Sequence, residues 1–266
     1  DCECATRIEG QIVSVATRDL REGGGVLVRD NRAIPIIKKV QQRATEMAES
    51  RCTVTKPFGL TVRSNYKGSV PEPFEGAIPL IYNNRIGYSR PDQIQRNHQW
   101  IDRWKVLLPM ASSGDTPIDE HGRIVDVVLG EPIALAPGSA CTQTYFIVGM
   151  FDTSEETENY AHYLATKFVR FLVLQRKTTQ HVTPDRFRFV PMLDMTRRWT
   201  DDDLYAHFAL TDDEIDYIES SIKPRSVNLS LDSPIPASHL PGGYKYRVSG
   251  ADEPSDEDVD EPEDDE

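Results

Sequence analysis

The sequence has little of what makes a protein's chemistry easy to read. Four cysteines in 266 residues are too few for a disulfide framework, and Cys2 and Cys4 form a Cys-x-Cys with no second pair near it. The six histidines (His98, His121, His162, His181, His207, His239) are scattered, so a zinc site has no ligand spacing to start from. No apolar run approaches the roughly 18 residues of a membrane-spanning helix, and no signal-peptide pattern opens the chain. The expectation is a protein of the reducing cytoplasm with no membrane partner. There is no Walker loop, no Gly-x-Gly-x-x-Gly, no nucleophile elbow and no His-Glu-x-x-His. Gly23-Gly24-Gly25 precedes a strand-like stretch, not a helix, so it reads as a hairpin turn and not as a phosphate cradle. Neither a catalytic residue nor a metal-ligand set is expected in this chain.

Charge is abundant but unevenly placed. The chain carries 43 acids against 30 bases, a formal net charge of −13, which on its face argues against a polyanionic partner. Residues 251–266 hold eleven of those acids and no base. Removing them leaves 32 acids against 30 bases, a body at −2. The terminal run, with Pro254, Pro262 and only Val259 as a sizeable apolar residue, cannot bury enough surface to offset its ordering entropy. It is expected to be a disordered acidic tail. The first residue is Asp and the chain enters directly into strand-like sequence, which reads as a piece of a longer polypeptide.

Periodicity supplies the elements. Residues 8–28 read as β, with Ile12, Val13 and Val15 before the glycine turn and Val26 and Val28 after it. Ile34, Ile37, Val40, Ala44 and Met47 are spaced as a helix over about 31–48, with Pro35 tolerable only in its first turn. Ile78 to Tyr88 alternates around Asn83-Asn84, a hairpin pattern. A short helix is expected from Pro91 to about Trp100, strands at 104–108 and 142–149, short apolar segments at 124–129 and 131–135, and a short strand at 186–190. Thr153 and Glu156 form a capping box for a long helix over about 154–177, whose buried face is Tyr160, Leu164, Phe168, Phe171 and Leu172. Thr200 and Thr211, each with an acid three residues on, start two further helices. These elements predict an α+β fold: a mixed, mostly antiparallel sheet, a long packing helix and a C-terminal helical pair. The expected organisation is a domain over 1–225, a Pro- and Ser-rich segment over 226–250 and the tail over 251–266.

Chemistry concentrates between 163 and 188, where Lys167, Arg170, Arg176, Lys177, Arg186 and Arg188 meet a single acid, Asp185, among Tyr163, Phe168, Phe171 and Phe187. Bases spaced among aromatics suit phosphate neutralisation and base contact, although a solvated helix face gives the same composition. A metal nuclease is the rival reading. It would draw on Asp92, Asp185 and the Gln175-Arg176-Lys177 triplet, but the triplet falls on the expected helix and not on a strand.

The order of motifs adds a resemblance. Arg29-Asp30-Asn31-Arg32-Ala33, Lys56-Pro57-Phe58-Gly59-Leu60, Trp104-Lys105-Val106-Leu107 and Pro137-Gly138-Ser139-Ala140-Cys141-Thr142-Gln143-Thr144-Tyr145 come first. They are followed by Thr166-Lys167-Phe168-Val169-Arg170-Phe171-Leu172, Arg176-Lys177-Thr178-Thr179-Gln180, Phe189-Val190-Pro191-Met192-Leu193-Asp194 and Trp199-Thr200-Asp201-Asp202-Asp203-Leu204-Tyr205. Over about residues 8–224 this series resembles the C-terminal half of adenine-specific DNA methyltransferases of restriction-modification systems. It also looks like the recognition domains of TaqI-like enzymes and type I specificity subunits.

In that family a Rossmann-like domain carries S-adenosylmethionine and an Asn-Pro-Pro-Tyr catalytic loop, and both motifs are missing here. The resemblance therefore implies the target-recognition part, with no cofactor of its own, binding double-stranded DNA for a methyltransferase catalytic domain supplied in cis or in trans. It implies groove-facing loops at 56–67 and 136–144, with Arg63, Asn65, Lys67, Gln143 and Thr144 as base-reading candidates. Lys167, Arg170, Arg176, Lys177, Arg186 and Arg188 are the candidates for the DNA backbone. A restriction endonuclease subunit of such a system is the alternative, and a protein-interaction domain using the acidic tail is a third.

Overall fold

The computed structural model of the protein describes residues 2–8, 10–18, 28, 30–53, 55–61, 70, 72–82, 85–110, 128–176 and 182–222. The triple glycine, Asn83-Asn84, Arg63, Asn65, Lys67, Lys177, the 226–250 segment and the acidic tail lie outside these residues.

Among the described residues the fold is α+β, as expected, but its strands form three small sheets and not one. β1 (Cys2–Ile8) and β2 (Gln11–Arg18) pair as an antiparallel hairpin that turns at Gly10, at positive φ. Gly23-Gly24-Gly25, where a turn was expected, lies outside the described residues. The hairpin is tied to the body through Asn31, whose backbone N–H donates to Thr6 Oγ1 (3.0 Å) and whose side-chain amide donates to the Cys4 carbonyl (2.7 Å). α1 (Ala33–Arg43) buries Ile36, Ile37 and Val40 and holds Pro35 in its first turn, where no helical hydrogen bond is lost. It stops short of Met47, which instead bridges to Pro191.

β3 (Ile78–Tyr82) and β4 (Arg85–Ser89) form the expected hairpin, and β7 (Ala140–Cys141) joins the free side of β3 in parallel. The third sheet is antiparallel in the order β6 (Ile133–Leu135), β5 (Trp104–Pro109), β8 (Tyr145–Phe151). It lies between two cores. Val106, Leu108, Phe146 and Val148 face the helices, whereas Leu107, Leu135, Tyr145 and Ile147 face Leu80, Ile81 and Cys141 of the β3 sheet. Burial on both faces explains why β5 and β8 read as near-continuous apolar runs.

The long helix is two helices, α2 (Ser154–Ala165) and α3 (Lys167–Leu174). Thr166 is extended (φ −60, ψ 153) and its hydroxyl accepts the Val169 N–H. The Asp201 carboxylate accepts the Lys167 and Phe168 N–H groups at 3.1 and 2.8 Å. Those donors would otherwise be orphans at a helix start. The apolar period runs through the break, so Tyr160, Leu164, Phe168, Phe171 and Leu172 are all fully buried. α4 (Asp201–His207) and α5 (Asp212–Ser221) each open on the expected capping box. The stretch read as a strand at 186–190 is instead a 3-10 helix, Pro184–Phe189, with Pro184 in its first turn and Phe187 and Phe189 in the core. No helix among the described residues is long and apolar enough to cross a membrane.

Candidate nucleic-acid interface

The two loops that the resemblance placed against DNA are neighbours. The Gln143 N–H donates to the Leu60 carbonyl (3.0 Å), so the described part of the first loop, 56–61, runs beside 136–144. A third segment completes the rim. Arg96 Nε donates to the Lys56 carbonyl (3.1 Å) and Asn97 Nδ2 to the Pro57 carbonyl (2.6 Å), and the Gln95 N–H reaches the Phe58 carbonyl (3.1 Å). Beneath, the Phe58 ring meets the Trp100 ring edge-on at 6.5 Å. Gly138 ties the third segment to the second, its N–H donating to the Ile101 carbonyl (2.8 Å).

The backbone here is unusual. Lys56 (φ 59) and Asn97 (φ 57) are two of the three non-glycine residues at positive φ among those described, and such conformations are enriched where a site is held against local preference. Gly59 (φ +79) answers a tighter need. A Cβ there would stand 2.7 Å from the Gln95 side chain, so only glycine allows the two loops to approach. Lys56, Gln95, Arg96 and His98 are exposed along this rim and Gln143 and Thr144 half-buried. The Thr144 hydroxyl lies 3.0 Å from that of Thr142. Amide, guanidinium, ammonium and imidazole side chains are thus carried by three segments hydrogen-bonded to one another, the chemistry suited to base edges and phosphates.

Under the rim lies Lys105, fully buried, its Nζ donating to the carbonyls of Ile101 (3.1 Å) and Arg103 (2.8 Å). Burial pulls this ammonium down to about 7, against smaller upward pulls from Cys141 and Asp102. Burial also pushes the Cys141 thiol up to about 12, so it stays neutral. A buried amine titrating near neutrality is a mark of functional sites as well as of strained cores.

The basic window is arranged differently from its expected role. Arg170 is 9% exposed, and its Nε donates to the Ala165 and Thr166 carbonyls (3.0 and 3.3 Å), closing the end of α2. Arg176 is 4% exposed, over the Phe189 ring and 3.8 Å from Asp185. Burial removes both from a duplex surface: α3 is buried continuously from Phe168 to Val173, Arg170 included, and Arg176 lies against Phe189. Lys167 pairs with Glu219 of α5, and Arg186 donates to the Arg176 carbonyl. Arg188 remains on the surface, 3.9 Å from Glu49. Of the two acids of the nuclease reading, Asp185 is flanked by Arg176 and Arg186, and Asp92 pairs with Arg90 at 3.5 Å. No group of three or more His, Cys, Asp or Glu side chains among the described residues is arranged to hold a metal.

Of the five base-reading candidates, Gln143 and Thr144 stand on the rim, and Arg63, Asn65 and Lys67 lie outside the described residues. Arg96, Asn97, Gln95 and Lys105 were not anticipated. The left-handed turn at Asn97 left no pattern in its neighbours, but the lone lysine inside the run Trp104 to Leu108 was a visible signal. No family model, no curated protein and no solved structure matches this chain.

Proposed function

We propose that this chain is a sequence-recognition module for double-stranded DNA, serving an adenine-specific methyltransferase of a restriction-modification system. S-adenosylmethionine and the reacting base belong to a catalytic domain supplied elsewhere. The observation that carries the reading is the hydrogen-bonded pairing of loops 56–61 and 136–144, distant in sequence and both nominated by their motifs, with Arg96 bonded to the Lys56 carbonyl of the first loop.

In this reading Lys56, Arg96 and the surface-placed Arg188 hold phosphates, and Gln143 and Thr144 read base edges. Reading bases through the groove requires such a division between positioning and specifying contacts. The body's near-neutral charge fits a module that takes part of its affinity from an attached catalytic domain.

The test is selection of bound sequences from a randomised duplex pool by the full chain, followed by titration at several salt concentrations. Lys56→Ala and Arg96→Ala should weaken binding to all sequences and each flatten the salt slope by about one. Gln143→Ala should instead change which sequences are selected. Absence of salt-dependent duplex binding, or a Gln143→Ala pool identical to that of the wild type, refutes the assignment.

A further inference from the structure

Lys105 lies where a strand buried on both faces has no need of a charge. In register it faces Leu135 of β6 and Met150 of β8, and the titratable groups near it are Cys141 on β7 and Asp102 in the preceding turn. Its two carbonyl partners are not arbitrary. Ile101 O also accepts the N–H of Gly138, so one oxygen joins the 95–103 segment, the 136–144 loop and the lysine. Arg103 O is the next carbonyl but one. From Gly138 the chain runs through β7, held parallel to β3, to the Gln143 N–H on Leu60. The amine therefore sits at the joint between two of the three rim segments, and the third, 56–61, is tied to these two through Gln95, Arg96, Asn97 and Gln143. A neutral amine has two N–H donors for these two carbonyls, and an ammonium has three donors and bonds that are charge-assisted.

Resting on the DNA-recognition reading above, we propose that Lys105 is the positioning residue of the rim: its ammonium clamps the Ile101 and Arg103 carbonyls, and duplex binding draws a proton onto it. The reason is reciprocity. Phosphates brought over the 95–103 segment favour the charged form of the amine beneath, so protonation of the amine favours phosphate binding to the same degree. The depressed proton affinity that burial imposes puts this exchange near neutral pH.

The experiment measures duplex affinity of the full chain from about pH 6 to about pH 8.5, in a His98→Gln background that removes the histidine of the rim segments. Affinity should fall roughly fivefold as pH rises through this range. Lys105→Met should bind more weakly with a flat profile. Lys105→Arg, whose charge does not titrate, should be flat at the tighter level. In parallel, amide exchange of Lys105→Met should show about tenfold lower protection at Gly138 and Gln143 with β8 unchanged.

A wild-type slope retained in Lys105→Met overturns the proton linkage. Unchanged protection at Gly138, or uniform loss across the domain, overturns the clamp. If the wild type binds no duplex at any pH, the recognition reading and the proton linkage both fall, and the exchange pattern alone then decides the clamp.

Discussion

Lys105 gives a stability prediction that needs no ligand. In the unfolded chain its amine has the ordinary lysine value of 10.5, and in the fold burial brings it to about 7. Between these limits the unfolded state binds the extra proton, so this residue's contribution to stability rises with pH from about 7 to about 10.5 and is lost as pH falls back through 7. The full span corresponds to about 5 kcal/mol, at about 1.36 kcal/mol for each tenfold change in proton affinity. Other ionisable groups contribute to the pH dependence of both proteins, so the informative quantity is the difference between wild type and Lys105→Met. Methionine fills a similar volume without a charge, at the cost of leaving the Arg103 carbonyl without this donor. Urea denaturation of both proteins from about pH 6 to about pH 9 should show the difference shifting toward the wild type by about 2.5 kcal/mol. Most of that shift falls above pH 7. Parallel stability curves would show that the amine titrates as it does in water and would refute the desolvation argument.

Three further substitutions separate structural from surface roles. Arg170→Ala removes the donors that close α2 and should cost about 1–3 kcal/mol in denaturant unfolding, while leaving the salt dependence of duplex binding unchanged; a flattened slope would return Arg170 to the DNA surface. Asp201→Ala strips the acceptor from the two N–H groups at the start of α3 and should cost about 1–2 kcal/mol, a loss that an unchanged urea midpoint would contradict. Gly149→Ala places a Cβ 2.8 Å from the Tyr160 ring and 2.9 Å from that of Phe151. Overpacking of this kind costs about 1–3 kcal/mol, and a variant as stable as the wild type would show that the two rings move apart freely.

What was legible in the sequence was local. The capping boxes at Thr200 and Thr211 are written within four residues, because hydroxyl and carboxylate answer each other's backbone N–H groups. The 78–89 hairpin is likewise a short-range alternation. The break at Thr166 was not legible, since the apolar period runs through it and the decisive acceptor, Asp201, comes from another helix. The 3-10 helix at 184–189 shows the same limit. Arg186 to Val190 alternates charged and apolar residues as a strand does, but Pro184 and the core-facing Phe187 and Phe189 fix the tighter turn.

The candidate site divides along the same line. Bases among aromatics drew attention to 163–188, yet Phe189 covers Arg176 and the buried helix α3 carries Arg170 inward, so the composition that suggested a surface produced an interior. The rim was recoverable only as separate strings, Lys56-Pro57-Phe58-Gly59 and Pro137-Gly138-Ser139. Their meeting depends on backbone hydrogen bonds such as Gln143 to Leu60, which no side chain specifies. A lysine amid Trp104, Val106, Leu107 and Leu108 is the exception. On a strand apolar on both faces a charge is costly wherever it points, so that position alone marked a place where packing yields to another requirement, and the structure shows the carbonyls it serves.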